Sequence, residues 1–121
     1  MNQPPDNLFQ RRVVRSLMNS LAGLRATWVH EEAFRVEICL CVLLVPLALY
    51  LGQDGISRAL LVGSLVVVLV AELLNSAIEA AVDRISTEWH EQSKLAKDMG
   101  SAAVFVAMML AVLTWVLVLW R

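Results

Sequence analysis

Four side chains that could do chemistry recur along an otherwise apolar stretch in the middle of the chain. In order, they are Glu72, Asn75, Glu79 and Asp83. On an α-helix, spacings of three and four residues place them on one face about 80° wide. An ionised carboxylate inside hydrocarbon costs at least about 2.5–3.5 kcal/mol. The pattern therefore predicts that this face meets a metal ion, water or a polar partner.

Carboxylates that share one level of a membrane with a few cations could bind magnesium and a nucleotide. The candidates for that level are Glu31, Glu79, Asp83, Asp98, Lys97 and Arg12. Oxygen ligands hold Mg²⁺ together with phosphates, and Lys or Arg neutralises charge on a transferring phosphoryl group. A deeper carboxylate, Glu72, could accept the proton of a hydroxyl presented at the lipid interface. The sequence has neither a Gly-x-x-x-x-Gly-Lys-Ser/Thr loop nor a protein-kinase signature, so the site would be unconventional.

Two non-enzymatic readings compete with this one. The polar face could join helices of an oligomer, for which Asn75 and Ser76 would suffice. Alternatively, the acids could form a proton relay in a small proton-coupled membrane oligomer. Three carboxylates exceed what helix association needs, and neither reading explains Lys97 and Asp98 beside the polar face.

Composition places the chain in a membrane. Its 121 residues are 59% hydrophobic with a mean hydropathy of +0.66, against about 45–50% apolar residues in soluble domains. A chain this short cannot bury so much apolar surface in its own core. A net charge of −1 gives no reason to expect nucleic acid as a partner. Cys39 and Cys41 would point about 200° apart on a helix, which excludes a disulfide or a shared metal.

We expect an all-α integral membrane protein with a single domain over residues 1–121. Periodicity predicts an amphipathic interfacial helix at 7–30 and transmembrane helices at 33–51, 57–85 and 100–120. The charged segment 86–100 is predicted to be amphipathic or a loop. Along the second span, Glu79 and Asp83 should reach the interface, with Glu72 about 10 Å deeper.

Charge distribution predicts the orientation. Eight of the ten basic residues lie before the apolar part of the first span, which begins at Val36, or between residue 84 and the third span, while Arg58 and Arg121 lie on the opposite side. The N-terminus and the 84–98 segment are therefore predicted to be cytoplasmic. Just before the first apolar segment, Glu31 and Arg35 are spaced for an ion pair within a helix.

Three segments carry a resemblance to a known family. They are RATWVHEEAFRVE at 25–37, ELLNSAIEAAVDR at 72–84 and KLAKDMGSAA at 94–103. They resemble the bacterial integral-membrane diacylglycerol kinases, and the similarity runs from the amphipathic helix to the last tryptophan. The resemblance implies a homotrimer in the bacterial inner membrane, with active sites shared between subunits. It also implies phosphorylation of diacylglycerol to phosphatidic acid by ATP with Mg²⁺. Related small kinases act on undecaprenol, which is the close alternative.

The resemblance also implies roles for individual residues. Glu72 would be the general base, Glu31 and Glu79 the metal ligands, and Asn75 and Asp83 supporting residues. The implied ATP contacts are Arg12, Asn19, Glu31, Glu79, Glu88, Trp89, His90, Lys97 and Asp98. The implied lipid contacts are Arg12, Ser20, Arg25, Trp28, Phe34, Arg35, Glu37, Glu72, Ser101 and Trp115.

The chain departs from the family pattern at a few of these positions. Asn19 stands where the best-known members carry an aromatic residue, and His30 and Trp89 replace Asn and Tyr. Glu32 replaces a small residue beside Glu31. Either glutamate could therefore bind the metal, although Glu31 keeps the family's register.

Overall fold

Four helices make up the chain in a computed structural model that describes residues 6–120. They are α1 Asp6–His30, α2 Glu32–Leu51, α3 Gly55–Ile85 and α4 Glu91–Leu119. The all-α class is thus confirmed, and α2, α3 and α4 are each long and apolar enough to cross a membrane. Arg121, one of the two basic residues counted on the opposite side, lies outside the described residues.

A large apolar surface remains uncovered on these helices. Leu43 on α2 and Leu117 on α4, for example, are both about two-thirds or more exposed, at 70% and 67%. Soluble monomeric proteins rarely expose so much contiguous apolar surface. Lipid or neighbouring chains must therefore cover it.

The joint between α1 and α2 is a single residue, Glu31, with extended backbone angles of φ −114° and ψ 108°. Arg35 secures this joint, because its Nη1 donates to the carbonyls of Trp28 at 2.8 Å and Val29 at 3.0 Å. These carbonyls belong to the last turn of α1, which has no further turn to bond them. The predicted Glu31–Arg35 ion pair is wrong, since the guanidinium binds the carbonyls instead.

The turn between α2 and α3 begins at Gly52 and ends in a helix cap. The Asp54 carboxylate accepts a hydrogen bond of 2.7 Å from the Ser57 backbone N–H, and this bond holds the pKa of Asp54 below its usual value. Arg58 folds back so that its Nε donates to the Gly52 carbonyl at 3.2 Å. A Cβ on Gly52 would lie 3.1 Å from the Arg58 backbone nitrogen, so the close approach favours glycine. The cap starts α3 at Gly55, slightly before the predicted residue 57.

The packing of α3 against α4 forms the small core. Val68 on α3 packs with Ala107 and Ala111 on α4, where small side chains let two membrane helices approach closely. Farther along, the Trp115 indole Nε1 donates to the Leu61 carbonyl at 3.3 Å. The two helices are therefore joined along much of their length.

The fourth helix begins well before the predicted span. α4 starts at Glu91 rather than at residue 100, so only residues 86–90 of the segment 86–100 lie outside a helix. His90 caps this start, because its Nδ1 accepts a 3.0 Å hydrogen bond from the Gln92 backbone N–H. Lys97 and Asp98 consequently lie on the same continuous helix as the apolar residues that follow them.

Candidate functional site

Two buried carboxyl groups face each other between α2 and α3. Glu72 is 5% exposed and Glu37 is 8% exposed, and the two carboxyls lie within hydrogen-bonding reach. One oxygen of Glu37, Oε2, is buried without a hydrogen-bond partner. Buried acids with incomplete hydrogen bonding are costly and are retained mainly at functional sites. This pair is the strongest chemical feature of the chain.

Asn75 connects Glu72 to the next acid along α3. Its Nδ2 donates to Glu79 Oε1 at 3.4 Å, and its side chain is also within hydrogen-bonding reach of Glu72. Because Asn75 is 8% exposed, these bonds are shielded from water. The predicted polar face of α3 therefore exists as a bonded series.

Glu31 and Glu79 approach the same acid from two directions. The charges of both act on the Glu72 carboxyl, although Glu31 comes from the α1–α2 joint and Glu79 from the polar end of α3. Between residues 6 and 120, no group of three or more Asp, Glu, His or Cys side chains is arranged to hold a metal ion. Mg²⁺ is commonly bound by one or two carboxylates, with water and phosphates completing its shell. Glu31 and Glu79 are two carboxylates, which is the number that such a site needs.

A polar cleft of about 360 Å³ opens where α3 ends and α4 begins. Its lining includes five of the nine expected ATP contacts, namely Glu88, Trp89, His90, Lys97 and Asp98, together with the expected supporting residue Asp83. One ion pair crosses it from α4 to α3, with Lys97 Nζ 2.7 Å from Asp83 Oδ1. A second lies along α4, with Lys94 Nζ 2.7 Å from Asp98 Oδ2. All four side chains are substantially exposed, so these pairs contribute little to stability and can open for a ligand.

Besides Glu31 and Glu79, two further expected ATP contacts lie outside this cleft in the single chain. Arg12 and Asn19 are exposed on α1, and neither is among the described residues that line the cleft. Asn19 instead borders a shallow groove along α1 beside Arg15.

The expected lipid contacts are also divided by the structure. Ser20 shares a groove between α1 and α3 with Glu31 and Ser76, whose buried Oγ has no hydrogen-bond partner. Glu37 faces Glu72, as described above. Trp115 contacts Leu61, which lies about 16 Å from Glu72 along α3 at 1.5 Å per residue.

The remaining expected lipid contacts have different surroundings. Phe34 is fully enclosed at 3% exposure, and the Arg35 side chain is engaged with the end of α1. Arg25, Trp28 and Ser101 are exposed, so a lipid or another chain can reach them.

Sequence reasoning missed the pairing of Glu37 with Glu72. The depths of Glu37 and Glu72 in the membrane could have suggested it. Glu37 lies five residues after the start of α2, within the apolar region, as Glu72 does on α3. The role of His90 as a helix cap was missed as well, since histidine is not among the preferred capping residues.

Comparison with known proteins identifies the family of this chain. The sequence model of the family described as prokaryotic diacylglycerol kinase matches residues 18–119. A diacylglycerol kinase of Escherichia coli K12 is 50% identical over 109 residues, covering 90% of this chain and 89% of the relative. Those of Pseudomonas aeruginosa and Haemophilus influenzae are 47% and 45% identical, covering 90% and 85% of this chain and 89% and 87% of the relatives. The chain belongs to the prokaryotic diacylglycerol kinase family.

Proposed function

We propose that this protein is a membrane lipid kinase that transfers the γ-phosphoryl group of ATP to the free hydroxyl of diacylglycerol, giving phosphatidic acid. Diacylglycerol is proposed as the substrate because the relatives of this chain are named diacylglycerol kinases. The observation that carries the proposal is the buried Glu72, which is bonded through Asn75 to Glu79 on the side of the polar cleft.

Glu72 has the surroundings that a general base for a lipid hydroxyl requires. It lies in the apolar part of α3, and Glu79 lies seven residues, or about 10 Å, nearer the polar end. A diacylglycerol hydroxyl can reach that depth while its acyl chains stay in lipid. Glu72 accepts the hydroxyl proton as the new oxygen–phosphorus bond forms, while the bond between the γ-phosphorus and the β,γ-bridging oxygen of ATP breaks and ADP leaves. Asn75 keeps Glu72 and Glu79 in a fixed relation during this step.

The cleft holds the other reactant. Lys97 neutralises charge on the phosphates once it leaves Asp83, and the exposed Trp89 offers a flat face to the adenine base. Glu31 and Glu79 would hold Mg²⁺, which when bound neutralises phosphate charge and orients the γ-phosphoryl group. Positioning and electrostatics supply most of the rate in such transfers.

We further propose the assembly and orientation that the family resemblance implies. A homotrimer with shared sites fits the uncovered apolar surface, and it allows Arg12 and Asn19 of one chain to reach the cleft of another. The excess of basic residues on one side favours a cytoplasmic N-terminus in the inner membrane. Mixing Arg12→Ala and Glu72→Gln chains should restore activity if sites are shared, because some sites then receive intact residues from both.

The direct test is transfer of labelled phosphate from MgATP to a lipid panel by the purified protein in mixed micelles. We expect labelled phosphatidic acid from diacylglycerol. Faster transfer to undecaprenol would favour the polyprenol alternative, and no transfer to any lipid would contradict the kinase proposal and favour a proton-coupled oligomer.

The same assay tests the general base. Glu72→Gln should abolish turnover and preserve helical content, because the amide has the same shape but cannot accept the proton in this step. Glu91→Gln is the matched control, since Glu91 is exposed in the first turn of α4 and outside the cleft. Near-normal activity of Glu72→Gln would show that another group is the base.

A further inference from the structure

Gly100 of α4 lies directly against the Asn75 side chain of α3. Gly100 is buried, and a Cβ added to it would overlap Asn75 Oδ1. The same Cβ would lie 3.3 Å from Asn75 Cγ and 3.7 Å from Asn75 Cα. The missing side chain at position 100 is therefore what leaves room for the Asn75 amide.

The Asn75 amide has little freedom to move aside. Its NH₂ group must face Glu79 and Glu72, because a carboxylate can only accept hydrogen bonds from it. The opposite atom, Oδ1, is thereby turned towards Gly100, where it is buried without a hydrogen-bond partner. Contact with α4 limits the amide on one side, and the two acids limit it on the other.

We propose that Gly100 is a positioning residue for phosphoryl transfer, acting through Asn75 on the Glu79 carboxylate. By leaving space for the amide, Gly100 keeps the Asn75–Glu79 hydrogen bond intact and so orients Glu79 towards Mg²⁺–ATP. This inference rests on the proposed function, because it takes Glu79 as a ligand of that complex. Residues that orient a metal ligand typically contribute about 10- to 100-fold to metal affinity or activity.

The test replaces Gly100 and measures nucleotide binding as well as turnover. Gly100→Ala should weaken binding of Mg²⁺ with a non-hydrolysable ATP analogue about 10- to 100-fold, measured by calorimetry in detergent micelles. Gly63→Ala is the matched control, because it makes the same change in a membrane helix where a Cβ meets nothing within 4 Å. Binding by Gly100→Ala as tight as in the wild type would overturn the proposal.

A double-mutant cycle separates this role from a merely structural one. With Asn75→Ala, the Cβ at position 100 no longer meets an amide, so adding Gly100→Ala should change binding by less than about twofold. An equal loss on both backgrounds would mean that Gly100 does not act through Asn75. If Gly100→Ala alone fails to fold, a further loss of binding of more than about twofold from Asn75→Ala to Asn75→Ala/Gly100→Ala would still overturn the proposal.

Failure of the inference can be told apart from failure of the proposed function. A wild-type protein that binds the Mg²⁺–nucleotide but phosphorylates no diacylglycerol would contradict the function, while the binding arms still decide the role of Gly100. A fully active wild type with an equally active and tightly binding Gly100→Ala variant would overturn the inference alone. A wild type that binds no Mg²⁺–nucleotide would overturn both.

Discussion

Lys97 of α4 and Asp83 of α3 form an ion pair across the polar cleft, with Nζ 2.7 Å from Oδ1. The pair joins the end of one helix to the early turns of the next. Because both side chains are about half exposed, the pair is weak and a phosphate can compete for the ammonium. Under the proposed function, Lys97 is therefore held beside the nucleotide position before any nucleotide binds.

Removing this ammonium should weaken nucleotide binding. Lys97→Met should raise the KM for MgATP about 10- to 100-fold, which corresponds to loss of a hydrogen bond to a charged group. Steady-state kinetics at saturating lipid would measure it. Arg84→Gln is the control, because it removes one positive charge from the last turn of α3 without lining the cleft. Similar KM values for both variants would mean that general charge, not the position of Lys97, attracts the nucleotide.

Glu31 and Glu32 should differ sharply in their effect on magnesium. Glu31 is the joint residue whose charge acts on Glu72, whereas Glu32 is exposed on the outer face of α2 beside Cys39. Glu31→Gln should raise the Mg²⁺ concentration for half-maximal activity at least about tenfold, and Glu32→Gln should leave it nearly unchanged. A magnesium titration of both variants measures this, and the reverse order would assign Glu32 as the ligand.

Arg35 should control the stability of the α1–α2 joint. Arg35→Gln leaves the Trp28 and Val29 carbonyls without their donor, at a cost of about 1–3 kcal/mol. Amides in the last turn of α1 should then exchange with deuterium at least about tenfold faster. Arg15→Gln removes a charge from the same helix without touching its end, so exchange there should not change. Unaltered exchange in Arg35→Gln would mean that other contacts hold the joint.

The Asp54 cap should make the start of α3 sensitive to acid. Because the folded pKa of Asp54 lies below its unfolded value of about 3.9, its stabilisation is complete above that value. It is lost as the pH falls through the folded pKa. Thermal unfolding in micelles should show Asp54→Ala less stable than the wild type at neutral pH, with the gap closing below about pH 4. Asp54→Asn keeps a cap that does not titrate, so acid should not remove its capping hydrogen bond. If the stability difference from the wild type closed to the same extent for Asp54→Asn and Asp54→Ala, this account would be contradicted.

Local spacing explains why part of the site could be predicted. Glu72, Asn75 and Glu79 lie on one helix, so their common face follows from the helical repeat alone. The approach of Glu37 to Glu72 depends on the rotation of α2 relative to α3, which the sequence does not specify locally. The contact between Gly100 and Asn75 is of the same tertiary kind, although the small residues at 100–103 indicate a close helix approach.

Other differences have specific physical causes. The ion pair predicted for Glu31 and Arg35 requires both residues on one helix, but Glu31 adopts an extended conformation at the joint. The early start of α4 escaped prediction because residues 91–97 are mostly polar and lack apolar periodicity. The cap that starts it is His90, which composition alone does not suggest.

Because α4 is continuous, its polar first part and its apolar second part have a fixed rotation relative to each other. Lys97 contacts the cleft and Gly100 contacts Asn75, and both belong to a helix that advances 1.5 Å and turns 100° per residue. One residue inserted between them would turn the cleft residues through about 100° relative to the apolar half. Substitutions on the outer face of this helix should therefore be tolerated better than a single inserted residue, because the insertion rotates the cleft residues away from their position relative to Gly100.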